Sequence, residues 1–504
     1  MRRASTGTDF LGLHASAAPA RGLTSWLTAV LREAVADGRL APGARLPATR
    51  TLAADLGVAR GVAVEAYQRL VDEGLLDARP GVGTLVLAAE PPRVTPEVDT
   101  GRPTAPAELG RDAPRLPAPA SSWPEPAEFD LSPGVPDLAA FPRAAWLRAE
   151  RTVLRDAAAA DLGYGDPRGS ARLRAVLSRW LATTRGVRAE PDDILIVAGV
   201  AQALALLAQT IGDDGQSAIA VEDPGSRGTR DELVHWGLRP VPVAVDEYGL
   251  DTDELRRTGL ETALLTPAHQ FPTGVVLAPA RRRAVLEWAR ASRLVIEDDY
   301  DAEHRYDRAP VRALQPSAPD HVAYAGSTSK TLAPGMRLGW LVPPRRLHAE
   351  LVAARHASDL GSPALPQLVL AQLLENGDYD RHLRLVRNRQ RQRRDAVLTA
   401  LAEYLPHARV EGIAAGLHLL ITLPGYHDDI QLAAAIRHNG VLVHPLTWHR
   451  HRPGPPGLVL GYASEPPDRL HEALRRIAAV LRRITVPNSS PTLAAPAHRA
   501  APTT

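Results

Sequence analysis

The chain has 504 residues, of which 23% are charged, and its formal net charge is only +2. A chain of this length exceeds a typical single domain, and so small a net charge makes no general demand for a polyanionic partner. It has no cysteine, which excludes disulfides and thiolate metal sites, and we expect no metal centre. No segment has the length and apolar character of a signal peptide or a membrane span, so we expect a cytoplasmic protein without a membrane partner.

The first ninety residues have the pattern of short helices separated by turns. Residues 31–38 have helical spacing and end at a glycine. Two further short helices, over residues 49–57 and 58–70, are joined by a tight Leu-Gly-Val turn, and a glycine-tipped hairpin follows over residues 79–86. This order predicts a winged helix-turn-helix domain within residues 12–88.

Positive charge within this domain is local. Residues 39–60 carry four arginines against one acid, which indicates a basic surface suited to DNA. The whole run resembles the GntR-type winged helix, and the resemblance implies double-stranded operator DNA as the partner, contacted by Arg45, Arg50, Arg60 and Gly83. Arg45 lies in a stretch, residues 42–47, that is typical of a turn. Which arginines contact phosphates and which contact bases stays open, and the serine and threonine usual near them are replaced by Ala48, Ala59 and Val62.

Two stretches are unsuited to a packed core. Residues 91–126 contain ten prolines with glycine, alanine and threonine between them, which is typical of a semi-rigid linker. We expect a linker over residues 89–127, a second domain over residues 128–486, and a disordered tail over residues 487–504. The DNA-binding domain would then be tethered at a distance from the second domain.

Lys330 is the only lysine, although lysine and arginine together number 59. Arginine cannot lose a proton and attack a carbonyl, so a single retained lysine indicates an imine-forming amine. Taken alone, Lys330 could equally be a solvated survivor of lysine depletion. Its neighbours favour the amine, because groups suited to a phosphate lie close in sequence: Ser327, Ser329 and Arg337. A cofactor that carries both an aldehyde and a phosphate needs this combination, and pyridoxal 5′-phosphate (PLP) is such a cofactor.

Two more segments upstream fit the same cofactor. Residues 294–296 are typical of a buried strand, and the strand runs into Asp298 and Tyr300. An aspartate against a pyridinium nitrogen keeps that nitrogen protonated, and a tyrosine hydroxyl can bond the ring oxygen. Farther upstream the sequence is typical of a strand, a turn and a helix start, where the N–H groups of Val200 and Ala201 could meet the phosphate.

Residues from about 130 to 485 resemble a fold-type I aminotransferase, in the version fused to GntR-type regulators, the MocR/GabR family. The resemblance rests on the motifs around Lys330 and Asp298 and on Tyr-Gly-Asp-Pro-Arg-Gly at residues 164–169. It implies a multidomain protein, in which a winged helix-turn-helix precedes an α/β domain of aspartate aminotransferase type that binds PLP as a Schiff base with Lys330. It also implies that Tyr164 reaches the phosphate of the neighbouring subunit's cofactor, and hence a head-to-tail homodimer.

Three positions depart from the aminotransferase pattern. Ser226 stands where an aromatic residue commonly stacks on the pyridine ring, and Phe271 replaces the asparagine whose amide bonds the ring oxygen. Val459 stands where an arginine binds the substrate carboxylate, an interaction that supplies both affinity and orientation. Amino-acid transamination is therefore not the expected activity. Three residues nearby in sequence could compensate, although a loop surface is the commoner role for them: His444, His449 and Arg450.

We predict a PLP-dependent transcription regulator that senses PLP, an amine or an amino acid at Lys330. The effector would change the spacing of the DNA-binding domains, and it must bind one state better than the other to do so. Two alternatives stay open: an active aminotransferase that carries a DNA-binding domain, and a DNA-binding scaffold whose pocket holds no cofactor. The arginine-rich stretch over residues 381–394 is interpreted as a solvated helix face and not as a second nucleic-acid site.

Overall fold

A computed structural model describes residues 23–485 apart from residues 38, 42, 73–75, 80–82, 87–126, 302, 307–310, 413, 424, 426 and 427. The predicted linker, apart from residue 127, and the predicted tail therefore lie outside the described residues, as does the tip of the predicted hairpin. Contacts between Cα atoms divide the chain into two compact units, residues 1–117 with 138–156 and residues 118–137 with 157–504.

The helices of the described residues follow this order along the chain. They are α1 (Leu23–Ala36), α2 (Thr49–Asp55), α3 (Arg60–Asp72), α4 (Arg143–Asp156), α5 (Ala171–Thr184), α6 (Val200–Asp213), α7 (Arg227–His235), α8 (Thr252–Arg257), α9 (Pro279–Arg290), α10 (Arg345–Asp359), α11 (Ala364–Glu375), α12 (Asp378–Tyr404), α13 (Asp429–His438) and α14 (Pro467–Thr485).

The strands of the described residues form four sheets, which are described below where they bear on the site. They are β1 (Arg45–Leu46), β2 (Leu76–Arg79), β3 (Gly83–Val86), β4 (Phe129–Asp130), β5 (Leu195–Val197), β6 (Ala218–Asp223), β7 (Arg239–Asp246), β8 (Gly249–Leu250), β9 (Thr262–Leu265), β10 (Leu294–Asp299), β11 (Val322–Ser327), β12 (Gly339–Val342), β13 (Arg409–Glu411), β14 (His418–Thr422), β15 (Val441–Leu442), β16 (His444–Pro445) and β17 (Leu458–Gly461).

The N-terminal part of the chain forms three helices and a three-stranded antiparallel sheet in the order β1-β3-β2. Apolar residues at helical spacing in α1 and α3 pack with Leu52 and Leu56 into one core. The Tyr67 hydroxyl donates a hydrogen bond of 2.9 Å to the carbonyl oxygen of Pro47, which fixes α3 to the segment before α2. The predicted helix-turn-helix is confirmed, with two differences. The helix expected over residues 31–38 begins at Leu23 and ends at Ala36, and Arg45 lies on the short strand β1 and not in a turn.

The larger unit is built on an eight-stranded sheet in the order β5-β12-β11-β10-β9-β6-β7-β8. Strands β6, β9, β10 and β11 are parallel to one another, and β5 shares their direction because both β5 and β11 are antiparallel to β12. Successive side chains of a strand point to opposite faces, so Val221 packs in one apolar core and Ala220 in the other. The carboxyl ends of these five strands, and of β7, which is parallel to β6, therefore meet at one edge, where ligands bind in open α/β sheets.

The C-terminal part of this unit carries an antiparallel sheet in the order β13-β14-β17-β16. Helices α12, α13 and α14 supply Val397, Leu432 and Leu474 to the core that covers this sheet. Val459 of β17 is wholly buried in a small separate cluster with Leu420 and Leu446. Position 459 is therefore part of an apolar contact and has no access to a ligand.

Candidate cofactor site and DNA-binding surface

A cavity of about 510 Å³ opens where the parallel strands end. It is bounded by residues at the carboxyl ends of β6, β9, β10 and β11 and by the first turn of α6, which follows β5. The structure thus brings together eight residues that were predicted from separate sequence segments to bind the cofactor. They are Val200, Ala201, Asp298, Tyr300, Ser327, Ser329, Lys330 and Arg337. Tyr164 does not line this cavity, and 94% of its surface is exposed.

The amine of Lys330 lies inside the cavity and donates a hydrogen bond of 2.6 Å to the carbonyl oxygen of Gly134. Burial lowers the pKa of Lys330, although the charges of Asp301 and Asp298 act in the opposite direction. A lowered pKa increases the fraction of neutral amine, which is the nucleophilic form. The site therefore suits attack of Lys330 on an aldehyde.

Asp298 is partly buried at the cavity, and its buried Oδ1 atom has no hydrogen-bond partner among the described residues. Burial, followed by the charges of Asp299 and Asp301, raises the pKa of Asp298 to about 8, while Lys330 lowers it. A buried carboxyl oxygen without a partner is costly, and a protonated ring nitrogen would supply both a hydrogen bond and a positive charge. The residues present therefore fit the pyridine ring of PLP.

The opposite face of β10 holds a buried ion pair that was not predicted from the sequence. Arg185 donates two hydrogen bonds to the carboxylate of Asp299, from Nε (2.6 Å) and Nη2 (2.9 Å), and the Tyr324 hydroxyl donates a third of 2.6 Å. Both partners of the pair are about 1% exposed. Because a buried pair of this kind is costly to break, it holds the end of β10, and with it Asp298, in one position.

The N-terminus of α6 faces the cavity with free backbone donors. Its N-cap is Gly199, at a φ of 87°, and no side chain in the described part of the chain caps the helix. A Cβ atom at Gly199 would lie 3.4 Å from Nη1 of Arg337, so the guanidinium lies beside the first turn of the helix. On β11 the hydroxyl of Ser327 accepts a 3.2 Å hydrogen bond from the N–H of Ser329. Backbone donors, a guanidinium and hydroxyl groups thus border one cavity, as phosphate binding requires.

Glu222 is a further cavity residue whose role the sequence did not indicate. Its carboxyl accepts hydrogen bonds from the hydroxyl (2.6 Å) and N–H (3.1 Å) of Thr266 and from Nε2 of Gln270 (3.3 Å). Burial raises the pKa of Glu222 to about 7, and these hydrogen bonds oppose the shift. Glu222 and Gln270 belong to two short motifs, Glu-Asp-Pro and His-Gln-Phe-Pro. All four polar residues of these motifs are buried, and the only signal in the sequence was a pair of polar residues close before a proline.

A buried polar network joins Tyr300 to the segment before Phe271. Nδ1 of His269 lies 2.8 Å from Oδ2 of Asp301 and 3.2 Å from the hydroxyl oxygen of Tyr300. The side chains of His269 and Asp301 are 3% and 2% exposed. The imidazole of His418 lies 5.3 Å from that of His269, and burial lowers the pKa of His418 to about 3, so His418 is neutral.

The three departures from the aminotransferase pattern have structural counterparts. Ser226 is the N-cap of α7 and accepts a 3.3 Å hydrogen bond from the N–H of Thr229. Phe271 packs edge-on against the ring of His449, with centroids 5.0 Å apart. Burial lowers the pKa of His449 to about 3, and only 5% of the residue is exposed, so the interpretation of His449 as loop surface was wrong.

The arginine-rich stretch over residues 381–394 lies within α12 and is only partly a solvated face. Arg389 and Arg393 both pair with the buried carboxylate of Asp137, at 2.8 and 2.7 Å. Arg387 donates hydrogen bonds to the carbonyl oxygen of Glu303. Several of these arginines therefore have internal partners, so the interpretation of the stretch as a solvated helix face holds only in part.

The basic residues of the winged helix lie on its surface. Arg45 on β1, Arg50 on α2 and Arg60 at the start of α3 are all exposed, and none of them pairs with an acid within the described part of the chain. The side chain of Arg45 passes over Gly83, where an added Cβ atom would lie 2.8 Å from its Nε. In helix-turn-helix proteins the N-terminal residues of the second helix contact base edges, which is where Arg60 lies.

Comparison with known proteins gives separate family matches for the winged helix and for the domain that contains the cavity. Residues 24–86 match the family of bacterial regulatory proteins of the gntR type, and residues 128–477 match aminotransferase class I and II. The chain is 31% identical to the probable rhizopine catabolism regulatory protein MocR of Rhizobium meliloti, over 89% of this chain and 91% of that protein. The chain belongs to the MocR-type transcriptional regulators. It is also 33% identical to the pyridoxine biosynthesis regulator PdxR of Corynebacterium glutamicum, over 90% of this chain and 94% of that protein.

Solved structures place the larger part of this MocR-type regulator among the fold-type I aminotransferases. Kynurenine aminotransferase of Pyrococcus horikoshii is 26% identical, with a TM-score of 0.65 over 71% of this chain and 91% of that chain. LysN of Thermus thermophilus, an α-aminoadipate aminotransferase, is 27% identical, with a TM-score of 0.64 over 71% of this chain and 92% of that chain. The α/β fold expected from the sequence is thereby confirmed. Within the described residues, none of the helices is both long and apolar enough to cross a bilayer.

Proposed function

We propose that this regulator binds PLP covalently at Lys330 and that the state of this site controls its affinity for operator DNA. One observation carries the proposal. The single lysine of the chain places its amine in the same cavity as the unpartnered carboxyl oxygen of Asp298 and the free N-terminus of α6. These are the three kinds of group that an aldehyde, a pyridine nitrogen and a phosphate require.

Each residue has a distinct task. PLP, when bound, supplies an aldehyde and an electron-withdrawing ring. Lys330 provides the amine, Asp298 provides the carboxylate for the ring nitrogen, and Tyr300 provides a hydroxyl for the ring oxygen. The phosphate would be bound by hydroxyl groups, a guanidinium and the backbone N–H groups of α6, which belong to Ser327, Ser329, Arg337, Val200 and Ala201.

The site is better suited to the binding of an effector than to catalytic turnover of an amino-acid substrate. The position of the carboxylate-binding arginine is taken by Val459, which is fully buried. Ser226 has no ring that could stack on the pyridine, and Phe271 has no amide that could bond the ring oxygen. An enzyme without these groups loses orientation of an amino-acid substrate. PLP itself, or a small amine or amino acid, would instead act as an effector that binds one conformation of the protein more tightly than another.

We further propose a head-to-tail homodimer. Tyr164 and Leu162 are 94% and 62% exposed and lie two residues apart, so both side chains are accessible to a second subunit. In a closed twofold assembly each Tyr164 would complete the phosphate site of the other subunit. Two winged helices would then contact two half-sites of one operator, through Arg45, Arg50, Arg60 and Gly83.

Absorbance spectroscopy and chemical trapping test the proposal directly. The purified protein titrated with PLP should develop a visible absorbance band, and borohydride followed by peptide mass spectrometry should place a pyridoxyl group on Lys330. Lys330→Ala should abolish both, and because the chain has one lysine no other side-chain amine can take over. A colourless wild-type protein would favour the scaffold alternative, and repeated conversion of amino acids to keto acids would favour the enzyme.

A further inference from the structure

The hydrogen of the His269 ring can be located from the neighbours of Nδ1. Burial acts to raise the pKa of Asp301, but the neighbouring His269 holds it below its ordinary value through electrostatic attraction and a hydrogen bond, so Asp301 is a carboxylate. A carboxylate only accepts hydrogen bonds. The contact of 2.8 Å between Oδ2 of Asp301 and Nδ1 of His269 therefore requires a hydrogen on Nδ1.

This assignment determines what the hydroxyl of Tyr300 can do. It lies 3.2 Å from the same Nδ1 atom, and because that nitrogen already carries a hydrogen, the phenol oxygen can only accept from it. Burial, with the charges of Asp301 and Asp298 and a hydrogen-bonding interaction with Asp301, raises the pKa of Tyr300 well above its ordinary value, so the phenol keeps its own hydrogen. Tyr300 lines the cavity, so this hydrogen has two possible acceptors, the carboxylate of Asp301 and a group in the cavity, and the bond from Nδ1 of His269 makes that carboxylate the weaker acceptor.

The backbone around the network is shaped to admit the imidazole. Gly416 has a φ of 75°, and a Cβ atom at this position would lie 2.0 Å from Cε1 of His269 and 2.9 Å from Oδ2 of Asp301. Any other residue at 416 would displace the pair. Phe271, two residues after His269, has no hydrogen-bonding group in its side chain, although the aminotransferase pattern has an amide donor at its position.

We propose that His269, held by Asp301, is a positioning residue that keeps the hydroxyl of Tyr300 turned into the cavity as a hydrogen-bond donor, in place of the amide that Phe271 lacks. The inference rests on the proposed function, because the acceptor would be the ring oxygen of PLP. Without the imidazole, the carboxylate of Asp301 loses its donor and becomes the better acceptor for the Tyr300 hydroxyl. That hydroxyl would then turn away from the cavity.

The test is a pH titration of the visible band of the PLP-loaded full-length protein. A hydrogen bond donated to the ring oxygen stabilises negative charge there, so its loss should raise the pH at which the band titrates. We expect an upward shift of about one pH unit for His269→Gln, whose amide nitrogen lies nearer the position of Nε2, and a similar shift for Tyr300→Phe. His269→Asn, whose amide nitrogen can take the place of Nδ1, should titrate close to the wild type.

The double variant His269→Gln/Tyr300→Phe separates positioning from a general structural effect. If His269 acts through Tyr300, the double variant should titrate as Tyr300→Phe alone does. The charged groups that face Tyr300 from other elements, Glu222 and Lys330, are unchanged in every variant, as is the neutral His418. If the Gln variant aggregates, His269→Leu takes its place in the same set.

The possible outcomes are distinct. Full additivity in the double variant, or an unshifted titration in a folded His269→Gln protein, would overturn the role of His269 and leave the proposed function intact. Absence of any visible band in the wild-type protein would overturn both. Equal shifts for His269→Asn and His269→Gln would show that the Nδ1 hydrogen is not the group that matters.

Discussion

The amine of Lys330 is hydrogen-bonded to the carbonyl oxygen of Gly134, a residue 196 positions earlier in the chain. Gly134 has a φ of 83°, and a Cβ atom there would lie 3.1 Å from the Lys330 nitrogen. The approach of the amine therefore depends on a residue without a side chain in a backbone conformation that favours glycine. The hydrogen bond keeps the amine in the cavity before an aldehyde arrives.

Gly134→Ala should weaken the covalent retention of PLP about five- to tenfold, because the new methyl group displaces the amine by a few tenths of an ångström. Absorbance titration with PLP measures the effect. Gly215→Ala is the matched control, since Gly215 has a φ of 85° with nothing within 4 Å of an added Cβ atom. Equal losses in the two variants would assign the effect to backbone strain and not to the contact with Lys330.

Asp298→Asn should make the PLP-free protein more stable at alkaline pH. The pKa of Asp298 is raised by burial from 3.8 to about 8, so the stability associated with its protonated form is present at low pH and is lost as the pH rises through 8. The substituted side chain does not titrate. The free energy of unfolding of Asp298→Asn, relative to that of the wild type, should therefore be greater by a few kcal/mol at pH 9 than at pH 5. Urea unfolding of variant and wild type at both pH values measures the difference.

The exposed Asp320 provides the control for that experiment. Asp320→Asn should show the same pH dependence of stability as the wild type. The same Asp298→Asn protein should bind PLP more weakly, because the ring nitrogen loses its carboxylate. A stability difference that does not change with pH would contradict the assignment of Asp298 as the titrating group.

Arg60→Ala should weaken operator binding at least tenfold, since it removes a guanidinium from the start of α3, the second helix of the helix-turn-helix. Gel retardation of the protein's own promoter fragment at several salt concentrations measures both affinity and salt dependence. A smaller salt slope would indicate a phosphate contact and a changed base preference would indicate a groove contact. Arg69→Ala on the same helix, where Arg69 pairs with Glu65 at 3.2 Å, is the control. Unchanged retardation of Arg60→Ala would remove Arg60 from the interface.

Mixing two inactive variants should restore PLP binding if Tyr164 acts across the dimer. Tyr164→Ala lacks the residue for the phosphate, and Lys330→Ala lacks the amine, so neither homodimer has a complete site. A heterodimer has one site with both residues and one with neither. The heterodimer obtained by co-expression should therefore show up to half of the visible absorbance that the wild-type dimer shows. Lack of recovery in isolated heterodimers would place Tyr164 outside the partner's site.

Most of the site could be predicted because its groups lie in short segments with characteristic chemistry. Lys330, its serines and Arg337 span eleven positions, and Asp298 with Tyr300 lies at the end of one strand. The winged helix was predictable for the same reason, since its turns carry glycine at fixed places. Local patterns of this kind are visible without knowledge of the fold.

The remaining contacts could not be predicted because the chain brings them together over long distances. The Arg185–Asp299 pair spans 114 positions, and the contact of Gly134 with Lys330 spans 196. Burial of His449 was missed since a histidine between loop residues carries no signal of its environment. The strand β1 was missed because two residues of extended chain cannot be distinguished from a turn without their partner β3.

The end of β10 has one further consequence. Its neighbouring acids serve opposite faces of the sheet, since Asp299 binds Arg185 in the interior while Asp298 borders the cavity. Insertion or deletion of a single residue within this strand would exchange the two faces. The guanidinium of Arg185 would lose its carboxylate and the cavity would lose the carboxyl group of Asp298 at once. Length variation among related regulators should therefore be confined to the loops on either side, and the strand itself should change only by replacement.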